Sequence, residues 1–125
     1  MSELLPSVRD HLADADLLDG YRVLMYRWTD SEGTPTIVFT RSGTGGASDY
    51  LVQRPDVRIV LVTGSASDVR AGEVRMHHIL RYLRHSYKAA GVLHFQPMSG
   101  VIGPSYLENG RGVFELNIRC LTDDQ

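Results

Sequence analysis

Cysteine is almost missing from this chain: Cys120 is the only one in 125 residues. One thiol excludes an intramolecular disulfide framework and a multi-cysteine zinc site, and on an apolar stretch it reads as buried and reduced. An excess of charge of either sign is missing too. Lysine and arginine number 13 against 15 acids, a formal net charge of −2 at pH 7. No global field therefore draws the chain to nucleic acid or to an anionic membrane, and any basic surface must be local. Long apolar runs are also absent; none approaches the roughly eighteen residues of a membrane-spanning helix. The opening "MSELLPSVRDHL" has no charged region followed by an apolar stretch, so a soluble product made in the cytoplasm is expected. There is no repeat, linker or low-complexity segment. With 42% hydrophobic residues, the expectation is one domain over residues 1–125 that buries roughly two-thirds of the surface exposed on unfolding.

The patterns that are present alternate between two periods. Leu4, Leu5, Val8 and Leu12 recur at helical spacing, and Ser2 and Glu3 can cap a short helix running to about Asp14. Acids crowd its end, at Asp10, Asp14, Asp16 and Asp19, where they oppose the helix dipole and call for a basic neighbour. From Tyr21 the period becomes two. "YRVLMYRW" reads as a strand with Val23 and Met25 on one face and Leu24, Tyr26 and Trp28 on the other. "TDSEGTP" is turn chemistry, "TPTIVFTR" a second strand, and "DVRIVLVTGS" a third and central one.

A long helix follows from about Ser67 to Tyr87, with Ser65 or Ser67 as its cap. Its buried stripe is Val69, Gly72, Met76, Ile79, Leu80 and Leu83. "GVLHFQPM" resumes extended structure, Asn109-Gly110 is a hairpin turn, and "GVFELNIRC" alternates Phe114, Leu116, Ile118 and Cys120 inward with Glu115, Asn117 and Arg119 outward. The order is α-β-β-β-α-β-β. It predicts an α+β fold, most simply an antiparallel sheet of about five strands with two helices on one face.

Little in these elements carries chemistry. The loop "GTGGASDY" is rich in glycine but has neither the lysine nor the following helix of a phosphate-binding loop, and a dinucleotide fingerprint fails for want of the same helix. A connection that long is functional or disordered. His77, His78 and His85 lack the i, i+4 spacing and third ligand of a zinc site, and His11 and His94 are remote, so no metal and no cofactor are expected. No serine sits in a glycine-flanked elbow, and Cys120 has no histidine near it in sequence, so no catalytic residue is expected. The sharpest feature is electrostatic. Arg70, His77, Arg81, Arg84 and Lys88 fall on one helix face opposite the apolar stripe, and residues 66–90 carry a local excess of +3. Such a face is a solvated surface, a mate for acids within the chain or across a subunit boundary, or a surface for a passing polyanion.

The progression from "TPTIVFTRSGTGGASDYLVQRPDVRIVLVTG" through "SASDVRAGEVRMHHILRYL" to "GP" and "NGRGVFELNIR" resembles the small tail terminator or tail-completion proteins of long-tailed bacteriophages, the group that includes the U protein of phage lambda. The similarity covers about Val8 to Leu121 and rests on order, spacing and length together. It implies a structural virion protein, not an enzyme. Such a protein caps the tail tube as a ring, usually hexameric, ends polymerisation, and provides the head-joining surface. Implied partners are other copies of the chain, the major tail tube protein and a head-tail connector or head-completion protein, with DNA only in passage. No membrane partner is implied; the place is the head-proximal end of the virion tail, after assembly in the host cytoplasm. The implied interface residues are Arg41, Gly43, Gly45, Gly46, Asp49, Tyr50 and Arg54 in the loop, and Tyr106 and Arg111 in the segment 103–111. The alternatives are another neck or head-completion protein and, more remotely, a phosphate- or nucleotide-binding domain using glycines 43–46.

Overall fold

The computed structural model describes residues 4–29, 33–41, 52–53, 55–89, 92 and 94–123. The first helix, α1, spans Leu4–Ala13 and turns Leu4, Leu5, Val8 and Leu12 inward, as the spacing requires. The strands β1 (Arg22–Met25), β2 (Thr36–Arg41), β3 (Val52–Gln53) and β4 (Asp56–Val62) follow. A 3-10 turn at Ala66–Asp68 leads into helix α2, Val69–His85. The strands β5 (His94–Pro97), β6 (Ile102–Tyr106) and β7 (Gly112–Asp123) close the order. The proposed Ser2–Glu3 cap of α1 lies outside the described residues.

β7 is the spine of the sheet. β4 pairs antiparallel along one side of it, Asp56 beside Arg119 through Val62 beside Val113, and β3 extends that side. β5 and β6 pair antiparallel along the other side. β2 pairs with β4, and β1 completes the far edge. Alternation then sorts the side chains. Ile37, Phe39, Ile59, Leu61, Phe114, Leu116, Ile118 and Cys120 meet the buried residues of both helices in one core. The expected α+β class with two helices on one sheet face is therefore what the chain forms.

Two details differ from the expectation. β1 runs parallel to β2, with Arg22 beside Thr36 and Met25 beside Phe39, so the sheet is mixed. A hairpin through "TDSEGTP" would have set the end of β1 against the start of β2. Instead Tyr26 takes a left-handed φ of 74°, the strand stops there, and the chain returns the length of β1 before β2 begins. Tyr26 and Trp28, read as strand residues, lie past that end and are exposed. The second difference is two short strands the pattern did not announce. β3 has two residues, and β6 is interrupted by Gly103 and Pro104.

α2 shows what the apolar stripe contributes. Met76, Ile79, Leu80 and Leu83 are buried against the sheet, each contributing about 1.5–3 kcal/mol of burial free energy. Truncating Ile79 to alanine would cost about 2–5 kcal/mol. Gly72 lets the helix approach the sheet: a Cβ there would stand 2.8 Å from Thr63 Cγ2 and 2.9 Å from Leu61 Cδ2. The α-helix opens at Val69, later than Ser67, because residues 66–68 form the 3-10 turn, and the Ser65 hydroxyl bonds the Asp68 carboxylate (2.9 Å) without capping the backbone. It ends at His85, where the Ser86 amide bonds the Tyr82 carbonyl.

Candidate assembly surfaces

The first expected surface begins at Arg41, which stands exposed at the end of β2. Gly43, Gly45, Gly46, Asp49, Tyr50 and Arg54 lie outside the described residues. The second, residues 103–111, is divided by the structure into an exposed strand and a buried anchor. Every residue of β6 is exposed, with Ile102 at 47% and Tyr106 at 63%. Among the described residues β6 pairs only with β7 and stands at an edge of the sheet, so its outward backbone groups and these apolar side chains lie together. Gly103 is required there. Its φ is +120°, and a Cβ would meet the Val113 carbonyl at 2.6 Å. The turn that follows is closed by Gly110 N–H to Leu107 O and Leu107 N–H to Arg111 O, both 2.9 Å.

Arg111 is only 2% exposed. Its Nε donates to the Thr63 carbonyl at 2.8 Å and its Nη2 to the Thr34 carbonyl at 3.1 Å. Thr63 in turn accepts the Gly112 amide on its hydroxyl at 2.8 Å. Arg111 therefore fastens the start of β7 to the ends of the neighbouring strands, holding β6 and its turn in place from within.

The basic face of α2 forms as the spacing requires. Arg70, His77, Arg81 and Arg84 are all exposed. Lys88 is exposed too but lies beyond the helix end, with its ammonium 5.8 Å from the Tyr87 ring centroid. Arg75, on another flank of the helix, reaches the turn after α1. Its Nη1 donates to the carbonyls of Leu17 and Asp19 at 2.9 Å each, and its guanidinium sits 4.8 Å from the Tyr21 ring centroid. Burial raises the pKa of the Tyr21 phenol, against the lowering effect of Arg75. His11 makes the second tie between the helices, donating from Nε2 to the Ser86 carbonyl at 2.6 Å. Its ring centroid stands 4.9 Å from that of Tyr82 and 5.1 Å from that of Phe95. It is a packed histidine that sequence spacing could not connect to α2.

On the sheet face away from the helices, Arg119 and Asp56 form a two-point ion pair, Nε to Oδ1 at 2.9 Å and Nη2 to Oδ2 at 3.3 Å. Cross-strand register places them opposite each other, a partnership invisible in a linear reading. Cys120 is fully buried in the core. Burial first, and the Asp56 charge second, push its thiol pKa up to about 12. At neutral pH it stays protonated and is no nucleophile. Among the described residues no three metal-ligating side chains converge. The geometry thus presents an open strand edge and charged helix surfaces, features that join proteins to one another.

The chain matches the phage tail termination protein family over residues 1–124 and belongs to that family. Its role is structural, in completing the phage tail, and it is a component of the virion tail that acts among other tail proteins. No curated protein matches the chain. No helix among the described residues is long and apolar enough to cross a membrane.

Proposed function

We propose that this protein caps the growing tail tube as a ring of identical subunits, ends its polymerisation, and presents the surface to which the head is joined. The family match over residues 1–124 carries the reading. The hexamer is the ring size that the family resemblance implies. Open surfaces on the subunit support it. β6 offers an edge that no other described strand pairs, with Ile102 and Tyr106 exposed, and an edge left open on a subunit is covered on assembly. Residues 41–50, Arg54 and Tyr106 are assigned to contacts with a neighbouring subunit or the tube below. Arg111 supports that surface from beneath. A terminal ring of this kind stops growth because one face docks on the last tube ring while its other face offers a different surface, to which the next tube subunit does not bind.

Partners under this reading are further copies of the chain, the major tail tube protein, and a head-tail connector or head-completion protein. DNA would pass through the ring, and the position is the head-proximal end of the tail. Sedimentation velocity of the pure protein over a wide concentration range, followed by negative-stain imaging with and without tail tubes, tests it. Closed rings of one size, free or at tube ends, are expected. A monomer at every concentration that also ignores tubes would refute the reading, and binding to filled heads alone would move the protein to the head side of the neck.

A further inference from the structure

We infer that the basic face of α2 receives the acidic turn after α1 of a second copy of this chain. This inference rests on the ring reading above and names the contact by which the ring closes. The basic side is Arg70, His77, Arg81 and Arg84, all exposed. The acidic side is Asp14, Asp16 and Asp19, also exposed. Among the described residues the ion pairs are Arg9 with Asp10 and Arg119 with Asp56, so neither set is paired with a described residue of its own chain.

The acidic turn is held firmly. Amides of Asp14, Ala15, Asp16 and Leu17 bond carbonyls of Asp10, Leu12 and Ala13 at 3.0–3.1 Å. Leu18 is buried beneath it, and Arg75 grips it through the Leu17 and Asp19 carbonyls. Because Arg75 bonds the backbone of the turn, the carboxylates are left to solvent. Little ordering entropy is then lost when they dock.

The placement suits a head-to-tail contact. Successive helix residues turn by about 100°, so the flank of α2 bearing Arg75, His78 and Tyr82 faces its own acidic turn. The basic residues centre roughly 120° further around the helix by the same arithmetic. A groove of about 340 Å³ lies between Ala15, Leu17, His78 and Tyr82 on the occupied flank, one of about 280 Å³ lies between His77, Leu80 and Arg84 on the other, and Arg81 stands on the border, lining both. Two different patches of one chain, charged oppositely and centred on different flanks, can pair head to tail, the kind of contact that closes rings, and the ring of the proposed function selects that pairing. A polyanion passing through the ring is the other anion such a face would accept. The second copy is favoured because the chain itself carries exposed carboxylates to match, in a net charge of −2 that gives no general attraction for nucleic acid.

The test uses three full-length variants beside the wild type, assembled with and without tail tubes. They are Arg81→Glu with Arg84→Glu, Asp14→Lys with Asp16→Lys, and all four together. Each double reversal is expected to raise the concentration needed for ring formation about tenfold or more, the sum of several exposed pairs. The fourfold variant, whose charges are swapped but complementary, is expected to return to within about threefold of wild type, by the same pairing. Wild-type rings that survive either double reversal unchanged would overturn this contact and leave the ring reading standing. Failure of the stripe variant in DNA delivery, with normal rings from both doubles, would overturn it in favour of a passing polyanion. No rings from the wild type, free or on tubes, would remove the ring reading and this contact with it.

Discussion

Replacing Arg111 with methionine separates an interface residue from an internal clamp. Methionine keeps the aliphatic length that fills the site, so no large cavity opens, and the change isolates the guanidinium. Its bonds to the Thr63 and Thr34 carbonyls are lost. A hydrogen bond from a charged donor contributes about 1.5–3 kcal/mol. Thr34 is only half-buried, so water replaces part of its loss, and the expected destabilisation is about 3 kcal/mol. For a chain of 125 residues the unfolding entropy is about 0.26 kcal/mol/K, which makes this a fall in Tm of about 10 °C. Urea and thermal unfolding of the isolated protein, followed by circular dichroism, measure it. A variant with wild-type stability that failed only in assembly would refute the clamp and restore Arg111 to the surface.

Three further outcomes are expected. Gly72→Ala gains about 1 kcal/mol of helix propensity but presses on Thr63 and Leu61, and overpacking costs about 1–3 kcal/mol. Because Thr63 is pinned through its hydroxyl, the net is a loss of about 1 kcal/mol in urea unfolding, and a gain would contradict the close approach. Cys120 gives a pH signature: its folded pKa is raised from 9.0 to about 12, so the stability is complete below the unfolded value. It falls as pH climbs from about 9 to 12, by up to about 1.4 kcal/mol per pH unit. Cys120→Val should flatten that slope, and a slope left intact would mean the thiol is not its source. Lastly, hydrogen exchange at β6 should be fast in the free subunit and slowed on assembly; unchanged exchange in assembled rings would remove that edge from the interface.

How far the chain could be read depended on the range of the interactions. α2, β4 and β7 were legible because burial there follows a period, and Phe114, Leu116, Ile118 and Cys120 lie inward as alternation requires. The exposed stripe of Arg70, His77, Arg81 and Arg84 was legible for the same reason, while Lys88 was not, since the helix stops at His85. The direction of β1 was hidden: turn residues announce a reversal but not whether the strand afterwards pairs antiparallel or parallel. β6 was hidden by Gly103 and Pro104, which break the alternation in a strand held by β7 and by a close backbone approach. Arg111 looked like a surface residue because its acceptors, Thr63 and Thr34, stand 48 and 77 positions away. His11 likewise meets Ser86 across 75 positions. Patterns within one element reach the fold; contacts between distant elements decide which charged groups remain on the surface.

The most direct measurement adds the purified protein to polymerising tail tube protein and follows tube length and tube ends by electron microscopy. If this chain is the terminator, growth stops, lengths become shorter and narrower in distribution as its concentration rises, and one end of each tube carries a ring. Tubes that keep elongating with bare ends in its presence would contradict the assignment of termination to this chain.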